Sequence, residues 1–406
     1  MKVPLAPTGL RELDISEVTR VLKSGNVTMG AEVKNFESKM EKYLNVNHFV
    51  MVNSGSSANL LMIEALLRPT KFKPKLAQGD GILVPAIAWP TTVWPLIQLG
   101  LNPIFVDVKL ENISIDLDHA QQIIDDTGIP IRGIFPIHPL GYAISPSELN
   151  EFKIKNDLVN INDVCESLGS WREGVHAGAS GIASSFSFYF SHHITTMEGG
   201  GIATDDGGFA DDLRSMRSHG WSRDRSDSSS WTKSMSENDS KFLFVSTGYN
   251  VRPMEVQAAV GSAQLAELDD FIRIRKNNAG KIGSALNNSS LAILGENNKN
   301  DDSFGNFSSW MLVPITILVN NVKSIRREVI NELNQLGIET RPVLTGNFLS
   351  QPAIRRITRN SVNPGDFKNA TEISDTSFLV SCHHDLTESQ VQYLCDSLEI
   401  ISKKYA

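Results

Sequence analysis

The stretch HFVMVNSGSSANLLMIEALL, residues 48–67, contributes most to the fold prediction. It starts with a short apolar run rich in strand formers, passes through a Gly/Ser turn, and ends in an apolar segment expected to be a helix. Backbone N–H groups at such a helix N-terminus attract phosphate. A turn of this composition is, however, more often only a helix cap, so both interpretations stay open at this point.

The same strand–helix alternation continues downstream. Apolar runs at 82–85, 103–108, 131–138, 158–163, 184–190 and 200–205 predict strands, and the segments 89–99, 117–126 and 146–156 predict helices. Strands that alternate with helices imply βαβ units and a mostly parallel central sheet with helices on both faces. The runs lack polar alternation, as expected of strands that are covered on both faces. The fold class is therefore α/β.

The flanking segments define the predicted domain organisation. The spacing of apolar residues predicts a helix over 31–44 and another that starts at Pro253 and runs to residue 275. Beyond about residue 280, a strand at 310–317 and helices at 322–337 and 386–401 indicate a small α+β unit. We expect an N-terminal arm and helix in residues 1–30, a large domain in 31–275 and a small C-terminal domain in 276–406. The polar stretch 222–241 is either a mobile lid or a solvated surface loop.

Composition excludes several classes of protein. The 406 residues are 41% hydrophobic and 21% charged, which excludes a disordered or fibrous chain. A net charge of −8 disfavours a nucleic-acid partner. Residues 81–106 are uncharged and long enough to span a bilayer, but four prolines interrupt them, so we expect a buried strand–helix–strand instead. The N-terminus lacks the apolar core of a signal peptide. We therefore expect a cytoplasmic protein without a membrane partner.

Neither the cysteines nor the histidines predict a metal site. Cys165, Cys382 and Cys395 lie far apart without a CxxC pair, which disfavours both a disulfide framework and structural zinc. His192 and His193 are adjacent, and neighbouring histidines generally point in different directions. No H-x-H or H-x3-H spacing accompanies them. No metal is therefore expected.

Polar residues follow several of the predicted strands. Asp163 ends the strand at 158–163, and Ser187 precedes the histidine pair in FSFYFSHHITTMEGG, residues 186–200. In parallel sheets, ligands bind at the carboxyl edge, so Asp163 could pair with a ring nitrogen or a metal. It could equally serve as a helix cap or loop anchor.

Five ordered motifs carry a specific resemblance. The segments NSGSSANLL (53–61), VPAIAW (84–89), NDVCESLG (162–169), FSFYFSHHITTMEGG and GYNVR (248–252) resemble the DegT/DnrJ/EryC1/StrS sugar aminotransferase family. The resemblance runs from about residue 30 to 264. It implies the fold of type I pyridoxal-phosphate (PLP) transferases, with PLP or its pyridoxamine form (PMP) as cofactor. It also implies a nucleotide-sugar substrate, L-glutamate as amino donor, and a homodimer with shared active sites.

The resemblance assigns roles residue by residue. The phosphate would be held by Gly55, Ser56, Ser57 and Ser187, and by Asn250 from the neighbouring subunit. Trp89 would stack on the pyridine ring, Asp163 would hold the pyridine nitrogen protonated, and Glu166 would lie near the ring hydroxyl. His219, Arg341 and Asn347 are candidates for substrate contact.

The main departure from the family falls on the lysine that carries the cofactor as a Schiff base. Its position is taken by His192, which has no primary amine but can move protons near neutral pH. A histidine here, and the segment GNFLSQP (346–352), resemble the 3-dehydratase branch of the family. That branch implies C3 deoxygenation of a nucleotide-linked 4-keto-6-deoxyhexose to a 3,6-dideoxy keto-sugar for surface polysaccharide such as the lipopolysaccharide O-antigen.

Other functions remain open on the sequence alone. The chain could be an aminotransferase without a lysine anchor, a non-catalytic nucleotide-sugar binding homologue, or a metal-dependent hydrolase. A conventional iron–sulfur cluster needs four thiolates, so three scattered cysteines favour the cluster-free dehydratase type. By analogy, this favours a GDP-linked substrate over a CDP-linked one.

Overall fold

A computed structural model describes residues 1–7, 9–71, 75–126, 128–295, 304–319, 322–358 and 362–406. Its centre is a seven-stranded sheet with the order β1-β9-β8-β5-β4-β2-β3. The first nine strands are β1 His48–Val52, β2 Gly81–Pro85, β3 Asn102–Val106, β4 Ile131–Ile134, β5 Val159–Asp163, β6 Trp171–Arg172, β7 Val175–His176, β8 Ala183–Ser187 and β9 Gly200–Thr204. Strands β6 and β7 form a separate hairpin. In the large sheet, β9 runs antiparallel to both of its neighbours, and the other pairs are parallel. The predicted α/β fold is confirmed.

The helices of this part of the chain pack around the sheet. They are α1 Glu12–Ser24, α2 Ala31–Leu44, α3 Gly55–Leu67, α4 Pro90–Gln98, α5 Leu117–Asp126, α6 Pro146–Lys155, α7 Gly207–Met216, α8 Ser228–Thr232, α9 Glu237–Ser240, α10 Glu255–Leu265 and α11 Leu268–Ala285. Helix α3 is buried over most of its surface, consistent with its apolar sequence on all sides. It connects β1 to the core and brings its N-terminus to the edge of the sheet.

The uncharged segment 81–106 forms β2, α4 and β3 inside the core, as predicted. The strand β2 is buried at all five positions. Among the described residues, the helices are all too short or too polar to cross a membrane.

The C-terminal part contains a second, antiparallel sheet of three strands, β10 Leu291–Ile293, β11 Val313–Ile317 and β12 Ser377–Val380. Its helices are α12 Val322–Gln335, α13 Pro352–Ile357, α14 Lys368–Thr376 and α15 Glu388–Lys404. An α+β pattern after residue 280 agrees with the sequence. The division into units 1–30, 31–275 and 276–406 stays a prediction, and its second boundary falls inside α11.

Several predicted bounds were wrong where tertiary contacts end an element. The predicted helix over 253–275 is two helices, because the chain turns at Ala266 and Glu267. The strand predicted at 310–317 begins only at Val313, since Trp310 has a left-handed backbone with φ +56°. The strand predicted at 184–190 ends at Ser187, where the chain turns toward His192.

The polar stretch 222–241 contains α8 and α9 and is anchored at its base. The buried Arg225 donates to the buried Asp212 over 2.8 Å, and the Ser226 hydroxyl donates to Asp211 over 2.7 Å. A buried ion pair of this kind fixes the start of the segment to α7.

Candidate functional site

A cavity of about 350 Å³ opens at the carboxyl edge of the parallel strands, a size that suits a small-molecule site. It lies where β5 and β8 end and where α3 begins. The described residues that line it are Ser54, Gly55, Ser56, Trp89, Thr91, Thr92, Ile137, Asp163, Cys165, Glu166, Ser187, Tyr189, Ser191, His192, Glu198, Met311, Arg341 and Leu344.

One end of the cavity is the N-terminus of α3. The Ser54 hydroxyl caps the helix by accepting from the Ser57 N–H, at 3.1 Å. Gly55 and Ser56 line the cavity, whereas the Ser57 hydroxyl accepts a hydrogen bond from Ser54 and does not line it. Uncapped N–H groups and nearby hydroxyls at a helix start form an anion site. The structure thus places Gly55 and Ser56, two of the predicted phosphate-binding residues, together at this end of the cavity. Ser54, which was not among the predicted residues, lies beside them.

Two glycines allow this end to close around a small anion. A Cβ on Gly55 would lie 2.7 Å from Cβ of Ser187, and a Cβ on Gly200 would lie 2.4 Å from the carbonyl carbon of Ser54. Side chains at these positions would therefore force β8, β9 and the start of α3 apart. The absence of both side chains places the Ser187 hydroxyl beside the helix N-terminus, as predicted.

Asp163 stands at the end of β5 and is 4% exposed. Its Oδ2 accepts from Asn59 Nδ2 at 2.9 Å and from Thr92 Oγ1 at 2.7 Å. Its Oδ1 accepts from the Cys165 N–H at 3.1 Å, which leaves acceptor capacity toward the cavity. Sequence reasoning missed Asn59 and Thr92, although each lies one helical turn beyond a motif residue, Ser56 and Trp89, and so shares its face.

Trp89 and Arg341 form another part of the wall. Trp89 precedes the first turn of α4 and keeps 47% of its surface exposed, although it lines a cavity. The Arg341 guanidinium lies 5.6 Å from the centre of the Trp89 ring, a cation–π distance. An aromatic face left open inside a pocket is suited to stacking against a planar ring.

Glu166 is buried at the cavity wall and accepts from the Leu140 N–H at 2.9 Å. Burial raises the pKa of its carboxyl, while the Arg341 charge and the Leu140 hydrogen bond act in the opposite direction. Burial, and then the Asp163 charge, raise the pKa of the neighbouring Cys165 thiol well above its usual value. Cys165 is therefore a neutral wall residue and a poor nucleophile.

His192 lies in the turn between β8 and β9 and is half-buried. Its N–H donates to the Tyr189 carbonyl at 3.0 Å, and its carbonyl accepts from Arg275 Nη2 at 3.3 Å. Burial, then the charges of Arg341 and Arg275, lower the pKa of its imidazole to about 3. The ring is thus neutral at physiological pH, and its Nδ1 has no hydrogen-bond partner within the described part of the chain.

His193, unlike its neighbour His192, does not line this cavity. It is fully buried, and its Nε2 lies 2.9 Å from the Ser309 hydroxyl. No cluster of three or more His, Cys, Asp or Glu side chains suited to a metal ion occurs within the residues that the structure describes.

Besides Ser57, three predicted site residues do not line the cavity. His219 is exposed, with φ +63°, and its N–H donates to the Tyr249 carbonyl. Asn250 is also exposed. Asn347 is buried, and its amide donates to the Pro364 carbonyl and to the Thr371 hydroxyl, both at 3.0 Å. The side chain of Asn347 is thus used to hold a turn, and the geometry gives no support to substrate contact.

Comparison with known proteins agrees with this arrangement. The profile of the DegT/DnrJ/EryC1/StrS aminotransferase family matches residues 9–399. The chain belongs to this family. It is 35% identical over 399 residues to the GDP-4-keto-6-deoxy-D-mannose 3-dehydratase of Escherichia coli O55:H7, covering 98% of this chain and 99% of the relative. It is 36% identical over 399 residues to the enzyme of the same name from Yersinia pseudotuberculosis, covering 98% of each chain.

Solved structures of the DegT/DnrJ/EryC1/StrS family share the fold. A crystal structure of GDP-4-keto-6-deoxymannose-3-dehydratase with a trapped PLP-glutamate geminal diamine has a TM-score of 0.87 to this chain. The two are 33% identical, and the match covers 98% of this chain and 100% of the other. The expected PLP-dependent transferase architecture is therefore confirmed.

Proposed function

We propose that this chain is a PLP-dependent 3-dehydratase that removes the C3 hydroxyl of a nucleotide-linked 4-keto-6-deoxyhexose. One observation carries the proposal. The cavity wall between β8 and β9 presents the imidazole of His192, and no lysine is found among the described residues that line the cavity. The chain therefore offers a proton carrier at this place and no amine to hold a cofactor covalently.

The residues present fit the cofactor. Gly55, Ser56 and Ser187 offer N–H and hydroxyl donors for a phosphate at the start of α3. The open face of Trp89 suits a pyridine ring, and Asp163 keeps acceptor capacity for a ring N–H. Glu166 lies on the same wall, within reach of the cavity. When bound, PLP or PMP supplies an electron sink for the breakage of bonds at the sugar.

His192 is suited to move a proton to the leaving hydroxyl. Its imidazole is neutral at physiological pH, because burial and the charges of Arg341 and Arg275 lower its pKa to about 3, so one ring nitrogen carries an open lone pair for a proton. Once protonated in these surroundings, it is a strong acid and gives the proton up readily to the C3 hydroxyl oxygen. Arg341, which faces the same cavity, opposes the build-up of positive charge on the ring and favours this release.

The substrate and amino donor follow from the relatives. The two dehydratases named above, each matched over 98% of this chain, take GDP-4-keto-6-deoxymannose by name, and the solved structure holds a PLP-glutamate adduct. We assign a GDP-linked sugar and L-glutamate to this chain on that basis. A 3,6-dideoxy keto-sugar is a building block for surface polysaccharide, in agreement with the 30% identical lipopolysaccharide biosynthesis protein RfbH of Salmonella typhimurium.

We further assign Asn250 to the cavity of a second subunit. Its side chain is exposed and lies outside the cavity of its own chain. An antiparallel bridge to Ser218 fixes its backbone, so it projects from an ordered segment. A phosphate ligand supplied across a symmetric interface makes the homodimer the complete unit.

Product analysis tests the function directly. The purified protein is incubated with PLP, L-glutamate and either the GDP- or the CDP-linked 4-keto-6-deoxyhexose, and the sugar nucleotide is weighed by mass spectrometry. A dehydratase releases ammonia and gives a product one oxygen lighter than the substrate. An amino sugar without ammonia release would instead identify an aminotransferase, and absence of any turnover would leave a binding protein.

A further inference from the structure

Arg275 is the largest of the fully buried side chains, with 1% of its surface exposed. It comes from the middle of α11 and reaches the back of the cavity wall. Nη1 donates to the carbonyls of Trp310, at 3.2 Å, and Met311, at 2.9 Å, and Nη2 donates to the carbonyl of His192, at 3.3 Å. Met311 and His192 both line the cavity. One guanidinium therefore ties together two walls of the site from behind.

The cost of burying this charge points to a role beyond packing. Among the described residues no carboxylate lies within salt-bridge distance of Arg275, although the charge of Asp385 acts on it from farther away, and its Nε has no hydrogen-bond partner there. An unpaired buried cation is expensive, and an apolar side chain could fill the same volume at lower cost. What an apolar side chain could not do is donate simultaneously to three carbonyls in a fixed plane.

The segment that Arg275 holds is itself strained. Trp310 has φ +56°, a left-handed conformation that a bulky side chain adopts only when its surroundings enforce it. Its carbonyl and that of Met311 accept from the same nitrogen of Arg275, and the Cys382 thiol adds a contact of 3.4 Å to the Trp310 carbonyl. The guanidinium thus helps to stabilise the left-handed backbone conformation of Trp310, which is unfavourable for a bulky residue.

We propose that Arg275 is a positioning residue for His192: its guanidinium fixes the His192 turn to the Met311 wall and sets where the imidazole stands in the cavity. The inference rests on the proposed function of His192 as proton carrier. Arg275 would contribute to the reaction from the neighbouring helix without touching the substrate.

The positive charge of Arg275 has a second effect, on the pKa of His192, which can be separated from its effect on the position of His192. Arg275 and Arg341 both act, after burial, to lower the pKa of His192. The other charged or titratable groups that share a cavity wall with His192 are Asp163, Cys165, Glu166, Tyr189 and Glu198 on the front side, and Arg11, His193, His384 and Asp385 around a smaller cavity behind it. Removal of the Arg275 charge alone should raise the pKa of His192, because Arg341 and burial remain.

Two variants separate geometry from charge, and a matched control shares their helix. Arg275→Lys keeps the charge but loses the planar fork, and Arg275→Gln loses both. Arg273→Lys and Arg273→Gln make the same changes two residues earlier in α11, where the side chain is exposed and, among the described residues, pairs with Asp270. We expect Arg275→Lys to lower kcat about 10- to 100-fold with little change in KM, because a displaced proton carrier affects the chemical step. The Arg273 pair should match the unchanged protein.

A second readout does not depend on turnover. Diethyl pyrocarbonate acylates a neutral imidazole faster the more basic the ring is, so the rate of His192 modification at neutral pH, followed by peptide mass in the protein without cofactor, reports on the ring while the protein is folded. In Arg275→Gln the rate should be higher than in the unchanged protein, because loss of the charge raises the pKa of His192, and in Arg275→Lys it should be nearly unchanged. This arm works even if the unchanged protein turns over no keto-sugar, a result that would refute the proposed function and not the placement of His192 by Arg275.

Three results would overturn the inference. One is an unchanged kcat and an unchanged modification profile in both Arg275 variants. Another is an equal effect in the Arg273 pair. The third is that neither Arg275 variant folds, as judged by circular dichroism, since Arg275 would then serve stability alone. If only Arg275→Gln fails to fold, the lysine variant decides the question through the split between kcat and KM.

Discussion

The Thr92 hydroxyl donates a 2.7 Å hydrogen bond to Oδ2 of Asp163, joining the first turn of α4 to the end of β5. Asn59 from α3 donates to the same oxygen at 2.9 Å. Two helices thus fix Oδ2 of the carboxylate, while Oδ1 accepts from the Cys165 N–H, so the orientation of the whole group at the cavity is set. The orientation of Asp163 therefore depends on residues that would not touch the cofactor themselves. The same residues influence how well Asp163 can bind a pyridine nitrogen.

We expect Thr92→Val to weaken PLP binding. The substitution keeps the shape of the side chain and removes a hydrogen bond to a carboxylate, which is worth about 1.5–3 kcal/mol, or roughly 10- to 100-fold in Kd. Titration of the protein with PLP, followed by absorbance and by tryptophan fluorescence, measures the effect. Thr91→Val is the matched control, because Thr91 lines the same cavity but only its backbone carbonyl takes part in this network. Equal loss in both variants would contradict a specific role for Thr92.

The sequence predicted the strands and the motif residues well, because both depend on local pattern. Asp163, Ser187 and Trp89 lie where parallel strands end, and topology alone brings such ends together. The contacts that the sequence did not predict are made between residues that lie far apart in the chain. Arg275 looks like an ordinary helix residue, and nothing in the sequence of α11 indicates that its side chain reaches His192. For Asn59, which reaches Asp163, the local sign is its position one helical turn after Ser56.

Asn347 illustrates a different situation. It stands in the motif-like GNFLSQP, yet its amide holds a turn against Pro364 and Thr371. A polar residue in such a segment can serve local structure as readily as a ligand, and only the hydrogen bonds of the folded chain distinguish the two.

Gly200→Ala should disturb the phosphate end of the site. The added Cβ would lie 2.4 Å from the Ser54 carbonyl carbon and 2.5 Å from the Gly55 nitrogen, so the start of α3 must move. Overpacking of this kind typically costs about 1–3 kcal/mol of stability. PLP affinity should fall as well, since Gly55 and Ser56 are displaced.

Gly280→Ala is the control for this substitution. Nothing lies within 4 Å of the Cβ that it would introduce, and the position is inside α11. Alanine in a helix is favoured over glycine by up to about 1 kcal/mol, so stability should be unchanged or higher. Urea unfolding gives the free energies and PLP titration gives the affinities. A fully stable Gly200→Ala protein with unchanged PLP affinity would show that this end of the site has more room than the structure indicates.

Acid should destabilise the protein early, at pH values below about 6.5. Burial lowers the pKa of His138 and of His176, to about 4 and about 3, and that of His193 falls well below its usual range. A lowered pKa means that the unfolded state binds protons first. Stability from these groups is complete above the unfolded pKa of about 6.5 and is lost as the pH falls toward the folded value.

One variant isolates a single histidine in this effect. Between pH 6 and pH 5, His138 is protonated mainly in the unfolded state, so it contributes a slope of about 1 kcal/mol per pH unit. His138→Asn should reduce the slope of unfolding free energy against pH by that amount, as measured by urea unfolding at several pH values. His219→Asn is the control, because the side chain is exposed and asparagine tolerates its left-handed backbone. An identical slope in all three proteins would show that His138 does not stay neutral in the folded state.

His192→Ala should abolish turnover and spare the cofactor. A general acid/base contributes typically about 10²–10⁴-fold in rate, whereas the groups proposed to hold PLP, at the start of α3, at Asp163 and at Trp89, lie on other elements. Turnover of the keto-sugar and PLP titration measure the two effects. His48→Gln, at the far end of β1, is the activity control. Borohydride should leave no cofactor attached to the unchanged protein, since His192 has no primary amine. A stable adduct would show that an amine of the chain holds the cofactor, and loss of PLP binding with chemistry intact in His192→Ala would show that His192 serves the cofactor and not the reaction.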